Sequence, residues 1–178
     1  MKTPSTIIQW LSMVCLLFVL TACQDKEEDM EPLYFPALME VPAGFPDVVH
    51  PEENTFSELR WALGKKLFFD PILSLDSTIS CASCHKPALA FSDDVPLSPG
   101  VENRQGIRNA PSLANVAYHP YYTREGGVPT LEMQVLVPIQ EHNEFGFNIV
   151  LIAERLAHDS TYVQMAQAAY GRPPDAFV

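Results

Sequence analysis

Cys81-Ala82-Ser83-Cys84-His85 limits what this chain can be more than any other stretch of it. The spacing C-x-x-C-H is the attachment signature of a c-type haem. The two thiols sit one turn apart and can both reach the vinyl edges of one porphyrin. The adjacent imidazole then falls beneath the ring and can ligate the iron. Two other uses of a close cysteine pair compete. A zinc knuckle needs further thiolate or imidazole ligands, and the other two cysteines, Cys15 and Cys23, lie in an N-terminal targeting segment. A thioredoxin-like redox pair wants a βαβ setting, and no such pattern surrounds the motif. Covalent haem c is the reading carried forward.

The chain has 178 residues, enough for one modest domain once a targeting segment is set aside. Lys and Arg number 11 against 22 Asp and Glu, a formal net charge of −11. Nucleic-acid binding wants a basic face, so that class of partner is excluded. Sixteen prolines and eight glycines predict short helices and many turns.

Residues 1–22 read as an export signal. Lys2 gives a positive start, and Trp10 to Leu20 is almost wholly apolar but too short for an ordinary membrane span. Leu20-Thr21-Ala22-Cys23 resembles the bacterial lipobox, in which Cys23 is lipidated and becomes the new N-terminus. The uncleaved anchor is the other reading. Both place the domain in the cell envelope, facing periplasm or cell surface, and the first gives it a membrane partner through a lipid anchor. Residues 23–51 form an acidic, then Pro-rich tether, and residues 52–178 are the domain.

Within the domain, Thr55-Phe56-Ser57-Glu58 matches a capping box. Phe56, Leu59, Leu63 and Leu67 then share one helical stripe, which Pro71 stops. Leu73 to Ser80 is a turn feeding the haem motif, and Phe91 to Asn103 is a polar loop. Pro111 to Ala117 starts a short helix. Thr130 caps another through Val137, limited by Pro138. Asn148 caps a third, and a last helix runs from Ser160 to Gly171, a suitable left-handed cap. No alternating strand pattern appears. The fold class is all-α, a cytochrome c-like haem domain with long irregular loops.

Several pieces fall into one order: Leu63-Gly64-Lys65-Lys66-Leu67-Phe68-Phe69-Asp70-Pro71, Ile79 to His85, Phe91-Ser92-Asp93, and Arg108-Asn109-Ala110-Pro111-Ser112-Leu113-Ala114-Asn115. Together they resemble the N-terminal haem domain of bacterial di-haem cytochrome c peroxidases and MauG-like proteins. The resemblance implies a peroxide-reacting haem fed by a second C-x-x-C-H domain. Cys84 is the last cysteine, so that second domain is absent from this chain. The expectation is a fragment, or a second haem supplied by another polypeptide.

The resemblance also implies roles for particular residues. Peroxide chemistry needs a group that carries a proton from the inner oxygen to the outer one, and the family's glutamate falls on Glu144. Its pocket glutamine falls on Gln134, and Asn109 matches a residue of an interdomain calcium site. The sequence departs from the family at two positions. Val101 stands where well-studied members carry a removable distal histidine, and Arg124 stands where an aromatic residue links the haems. Reductive activation is then unnecessary, and electrons take another route. His119 and His142 lie near the expected pocket and are alternative distal ligands; His50 and His158 are read as structural or exposed.

The expected function is reduction of hydrogen peroxide, with electrons from a donor cytochrome or similar small redox protein. One alternative is a mono-haem electron carrier, which would want a methionine opposite His85. Met133 and Met165 both fit core packing better, and Phe145 beside Glu144 cannot ligate. The other alternative is a MauG-like oxidase of an organic or protein substrate.

Overall fold

Side-chain oxygens open the longer helices, because the first N–H groups of a helix have no partner within it. In the computed structural model, which describes residues 41–176, helix α1 spans Glu58–Phe69. Its cap is Ser57, whose Oγ accepts from Arg60 N at 3.2 Å. The expected cap, Thr55, lies outside the helix; its carbonyl accepts from Arg60 Nη1 at 2.9 Å. Asp70 ends α1 and accepts from Ile72 N at 3.0 Å, which starts the 3-10 turn Pro71–Leu73. Pro71 stops α1 as expected. The signal residues, Cys23 and the tether up to residue 40 lie outside the described residues.

The haem motif forms the one-turn helix α2, Cys81–Cys84. Thr130 caps α3, Leu131–Gln134, but the chain then reforms as α4, Leu136–Gln140, with Pro138 inside it. The expectation that Pro138 would end a helix fails for a local reason. It is the third residue of α4, where a helix leaves the N–H unpaired in any case. Asn148 caps α5, Ile149–Ala157, through Oδ1 to Val150 N at 2.8 Å. Asp159 caps α6, Ser160–Tyr170, which ends at Gly171 with φ 71°.

The short helix expected from Pro111 is not formed. Ser112 Oγ donates to the Ala90 carbonyl at 2.6 Å and accepts from Ala114 N at 3.1 Å. Such local bonds compete with a helix, and only a 3-10 turn at Val116–Tyr118 follows. Strand pairing among the described residues is limited to isolated bridges. The fold is all-α, as expected.

Helices α1 and α6 pack together, with α5 beside α6. Their core joins Leu63, Leu73, Ile139, Phe145, Ile152, Leu156, Tyr162 and Ala166, with Leu67 and Cys81 packed against it. The stripe read on α1 is therefore half right. Leu63 and Leu67 point inward, while Leu59 and Phe56 are exposed. Met133 also departs from expectation: it lies exposed on the single turn of α3. Met165 does pack against the core. Tyr162 brings a hydroxyl into this apolar cluster and donates it to Asp70 Oδ2 at 2.8 Å, beside Lys66 Nζ at 3.2 Å. Phe45, in the lead-in to the domain, lies against Tyr118 with ring centroids 5.4 Å apart.

The turn that delivers the chain to α2 is held by one side chain. Arg155, on α5, donates Nη1 to the carbonyls of Ile72 at 2.8 Å and Ser74 at 2.7 Å, and Nη2 to that of Leu75 at 3.0 Å. Its guanidinium also stacks on Phe147, 4.1 Å from the ring centre. Arg155→Met keeps an apolar stem but removes the stacked guanidinium and strands these carbonyls. It should cost about 1–3 kcal/mol, the usual range for unsatisfied polar groups. Thermal unfolding of the purified protein is the measurement.

Candidate haem site

Helix α2 is short because its job ends after one turn. Ser80 N donates to Ser83 Oγ at 3.0 Å, and His85 N closes the turn on the Cys81 carbonyl at 2.8 Å. This sets Cys81 and Cys84 on one side of the turn, and both are free thiols. Burial pushes the Cys81 thiol up to about 11. Burial raises Cys84 as well, and the negative charges of Asp93 and Glu144 add to it. Among the described residues no group of three or more His, Cys, Asp and Glu is placed to hold a metal ion.

His85 leaves the helix with φ −106° and ψ 74°. Its Nδ1 lies 2.9 Å from the Phe91 carbonyl. A carbonyl only accepts, so Nδ1 carries the proton and Nε2 keeps its lone pair, the arrangement an iron ligand needs. The Phe91 carbonyl is brought there by a tight loop. Lys86 N donates to the Ser92 carbonyl and Phe91 N to the Lys86 carbonyl, both at 2.9 Å.

Glu144 sits on the turn between α4 and α5. Its neighbour Phe145 is anchored in the core, and Phe145 N donates to the Pro138 carbonyl at 3.1 Å. The Glu144 carbonyl accepts from Val101 N at 3.0 Å, which seats the loop 98–106 on this turn. The contact is close: a Cβ on Gly100 would stand 2.0 Å from the Asn143 carbonyl oxygen, so only glycine fits. Val101, fully buried, lies against Gly146. Among the described residues no hydrogen bond holds the Glu144 carboxylate. Although solvent reaches it, surrounding protein raises its pKa above the ordinary glutamate value, and Glu141 adds repulsion. Its charge is felt at Cys84, so the expected proton carrier and the attachment motif share one neighbourhood.

The remaining expected residues fall as follows. Gln134, at the end of α3, keeps a buried Oε1 without a hydrogen-bond partner. Asn109 Oδ1 accepts from Arg124 Nη2 at 2.9 Å, so a cationic group already lies on the oxygen read as a calcium ligand. His142 Nδ1 lies 3.2 Å from Arg104 Nη1, which also donates to the His142 carbonyl at 2.8 Å. A guanidinium has no acceptor, so Nδ1 accepts and the proton sits on Nε2, leaving no lone pair for iron. His119 is exposed. Sequence reasoning missed Arg104 and the Phe91 carbonyl. The first carries no motif, and a backbone carbonyl has no signature in a side-chain alphabet.

Free thiols on one turn, an imidazole in the ligating tautomer and two polar side-chain groups without partners fit haem c. Comparison with known proteins points the same way. The family described as di-haem cytochrome c peroxidase matches residues 58–177. The methylamine utilization protein MauG of Methylorubrum extorquens is 35% identical over 124 residues, covering 70% of this chain and 35% of that protein. Cytochrome c551 peroxidase of Pseudomonas aeruginosa is 34% identical over 120 residues, covering 66% and 35%. A solved MauG-like protein associated with microbial copper homeostasis superposes with a TM-score of 0.71 at 31% identity, over 78% of this chain and 45% of that one. The chain thus spans about 35% of the length of these curated relatives.

Protein matured with a c-type attachment system should keep its haem through acid-acetone extraction and denaturing electrophoresis. Cys81→Ser with Cys84→Ser should release it. Haem that washes out of the unaltered protein would contradict the assignment.

Proposed function

This chain belongs to the di-haem cytochrome c peroxidase family, and from that premise we propose that its domain reduces hydrogen peroxide to water. Electrons come from an external donor, such as a small cytochrome, or through a second haem domain. Cys81, Cys84 and His85 would hold haem c, which would supply the redox chemistry for O–O cleavage. The observation that carries the reading is Glu144: an unpartnered carboxylate with a raised pKa, close enough for its charge to reach Cys84.

Glu144 takes the proton from one peroxide oxygen and returns it to the other, which then leaves as water. A raised pKa makes the carboxylate a stronger base for the first step and moves it toward the operating pH, where one group can both accept and return a proton. Gln134, with its buried unpaired Oε1, orients the peroxide by accepting a hydrogen bond from its other hydroxyl. His85 holds its ligating nitrogen ready through the Phe91 carbonyl. Val101, with no ligating atom, keeps the Glu144 turn in place and leaves the reacting side open without prior reduction.

An electron carrier would need a closed sixth position; Phe145 is buried in the core and Met165 packs against it, which among the described residues leaves the exposed Met133 as the methionine a carrier would have to use. A MauG-like oxidase shares the same proton chemistry and differs in what is finally oxidised. Calcium at Asn109 would require Arg124 to leave its Oδ1. Localisation follows from the lipobox: an envelope lipoprotein held through Cys23. No described helix is long and apolar enough to cross a membrane.

The resting ferric protein should give a mainly high-spin electron paramagnetic resonance signal that peroxide abolishes. A wholly low-spin signal unmoved by peroxide returns the assignment to an electron carrier. Glu144→Gln should slow the peroxide reaction by about 10²-fold, the scale of a lost proton-transfer group. In the unaltered protein the rate should rise with pH through the raised pKa of Glu144, because only the ionised carboxylate accepts the proton. The variant should lose that limb. Separately, Cys23→Ser should leave the membrane fraction or stay unprocessed; fully soluble wild-type protein with an unmodified N-terminus counts against the lipid anchor.

A further inference from the structure

Beside the attachment motif lies a carboxylate in an expensive position. The Asp93 side chain is only 1% exposed, and a buried charge is tolerated only when paired and hydrogen-bonded. Asp93 Oδ1 meets Lys86 Nζ at 2.8 Å, an ammonium it shares with Asp94 Oδ1 at 2.6 Å, and accepts from Asp94 N at 2.8 Å. Its Oδ2 accepts from Ser98 Oγ at 2.9 Å. Lys86 follows His85 directly, and Ser98 begins the loop that reaches Gly100 and Val101. One carboxylate thus ties the residue after the iron ligand to the loop seated on the Glu144 turn.

The chain that Asp93 closes is strained. Ala90 and Phe91 take left-handed φ values of 55° and 57°, a region that bulky residues rarely enter. Such geometry persists where the surroundings over-determine it. Here the ties are Lys86 to Asp93, the two Lys86 backbone bonds, and Ser112 Oγ on the Ala90 carbonyl. Their joint product is a Phe91 carbonyl held 2.9 Å from His85 Nδ1.

We propose that Asp93 is a positioning residue for the iron ligand: through Lys86 and Ser98 it holds the Phe91 carbonyl on His85 and so sets the imidazole's orientation and donor strength. The proposal rests on haem ligation by His85, and it is independent of what the haem then reduces. An acceptor on the far ring nitrogen makes the imidazole a stronger ligand, which favours the ferric state. Loosening the carbonyl therefore raises the reduction potential and weakens the iron–histidine bond.

The test uses the haem-loaded protein, with the potential and the ferrous iron–histidine stretching frequency as readouts. Asp93→Asn keeps the shape and removes the charge. It should lower and broaden the stretch and favour the ferrous state about tenfold, equivalent to about 59 mV for one electron. Ser98→Ala should move both readouts the same way by less. Leu156→Ala, in the core on α5, should lower the melting temperature and move neither. Asp93→Asn with a wild-type stretch and potential, whatever its melting temperature, overturns the proposal. If that variant yields no haem protein, Lys86→Gln and Ser98→Ala decide: a raised potential in both supports the proposal, and unchanged values in both overturn it. A wild-type protein without an iron–histidine band would overturn the five-coordinate ligation by His85 on which the proposal rests, an outcome visible before any variant is compared.

Discussion

At Gly100 two lengths of backbone pass so closely that a methyl group would land 2.0 Å from the Asn143 carbonyl oxygen. Much of the site depends on this contact. On one side runs the loop from the haem motif, through Asp93 and Ser98 to Val101. On the other is the turn that bears Glu144, fixed from below by Phe145 in the core. Because Val101 N bonds the Glu144 carbonyl, a shift of either segment moves the other. Arg104 reinforces the clasp by reaching across to the His142 carbonyl and pairing with Glu102 on its own loop.

The two halves of the site are built by different physics. The proximal half is polar and local: a one-turn helix, a strained loop and an ion pair between the covered Asp93 carboxylate and the partly exposed Lys86 ammonium, which pulls Asp93 down to about 2 and raises Lys86. The distal half is apolar and long-range. Glu144 is placed by packing, since its neighbour fills a core shared with α1, α5 and α6. Its own carboxylate is left without a hydrogen bond, as the proposed proton transfer requires. A fully satisfied carboxylate would be a poor base there, because partners that favour the charged form lower its pKa.

The electrostatics around Asn109 show how a substitution read as a departure acquires a structural consequence. Arg124 takes the place expected for an aromatic residue and donates to Asn109 Oδ1 at 2.9 Å. Two readings that were separate in the sequence, an aromatic bridge and a calcium ligand, thus meet in one hydrogen bond. Neither residue's partner was legible, since fifteen positions separate them and no period links them.

What the sequence by itself determined is whatever depends on neighbours along the chain. The C-x-x-C-H spacing settles the attachment turn, Asn148 and Gly171 mark helix ends, and the absence of alternating segments excludes a sheet. The errors were local rules overruled by competing contacts. Ser57 Oγ, rather than Thr55, accepts from Arg60 N and caps α1, and Ser112 bonds Ala90 instead of opening a helix. Only the tertiary structure decided that Leu59 and Met133 face solvent, that the His85 proton sits on Nδ1, and that Glu144 lies within electrostatic reach of Cys84. Each depends on backbone atoms or residues far apart in sequence. A capping oxygen or a thiol pair acts over one helical turn, whereas burial and a shifted pKa arise only when distant segments close around the group.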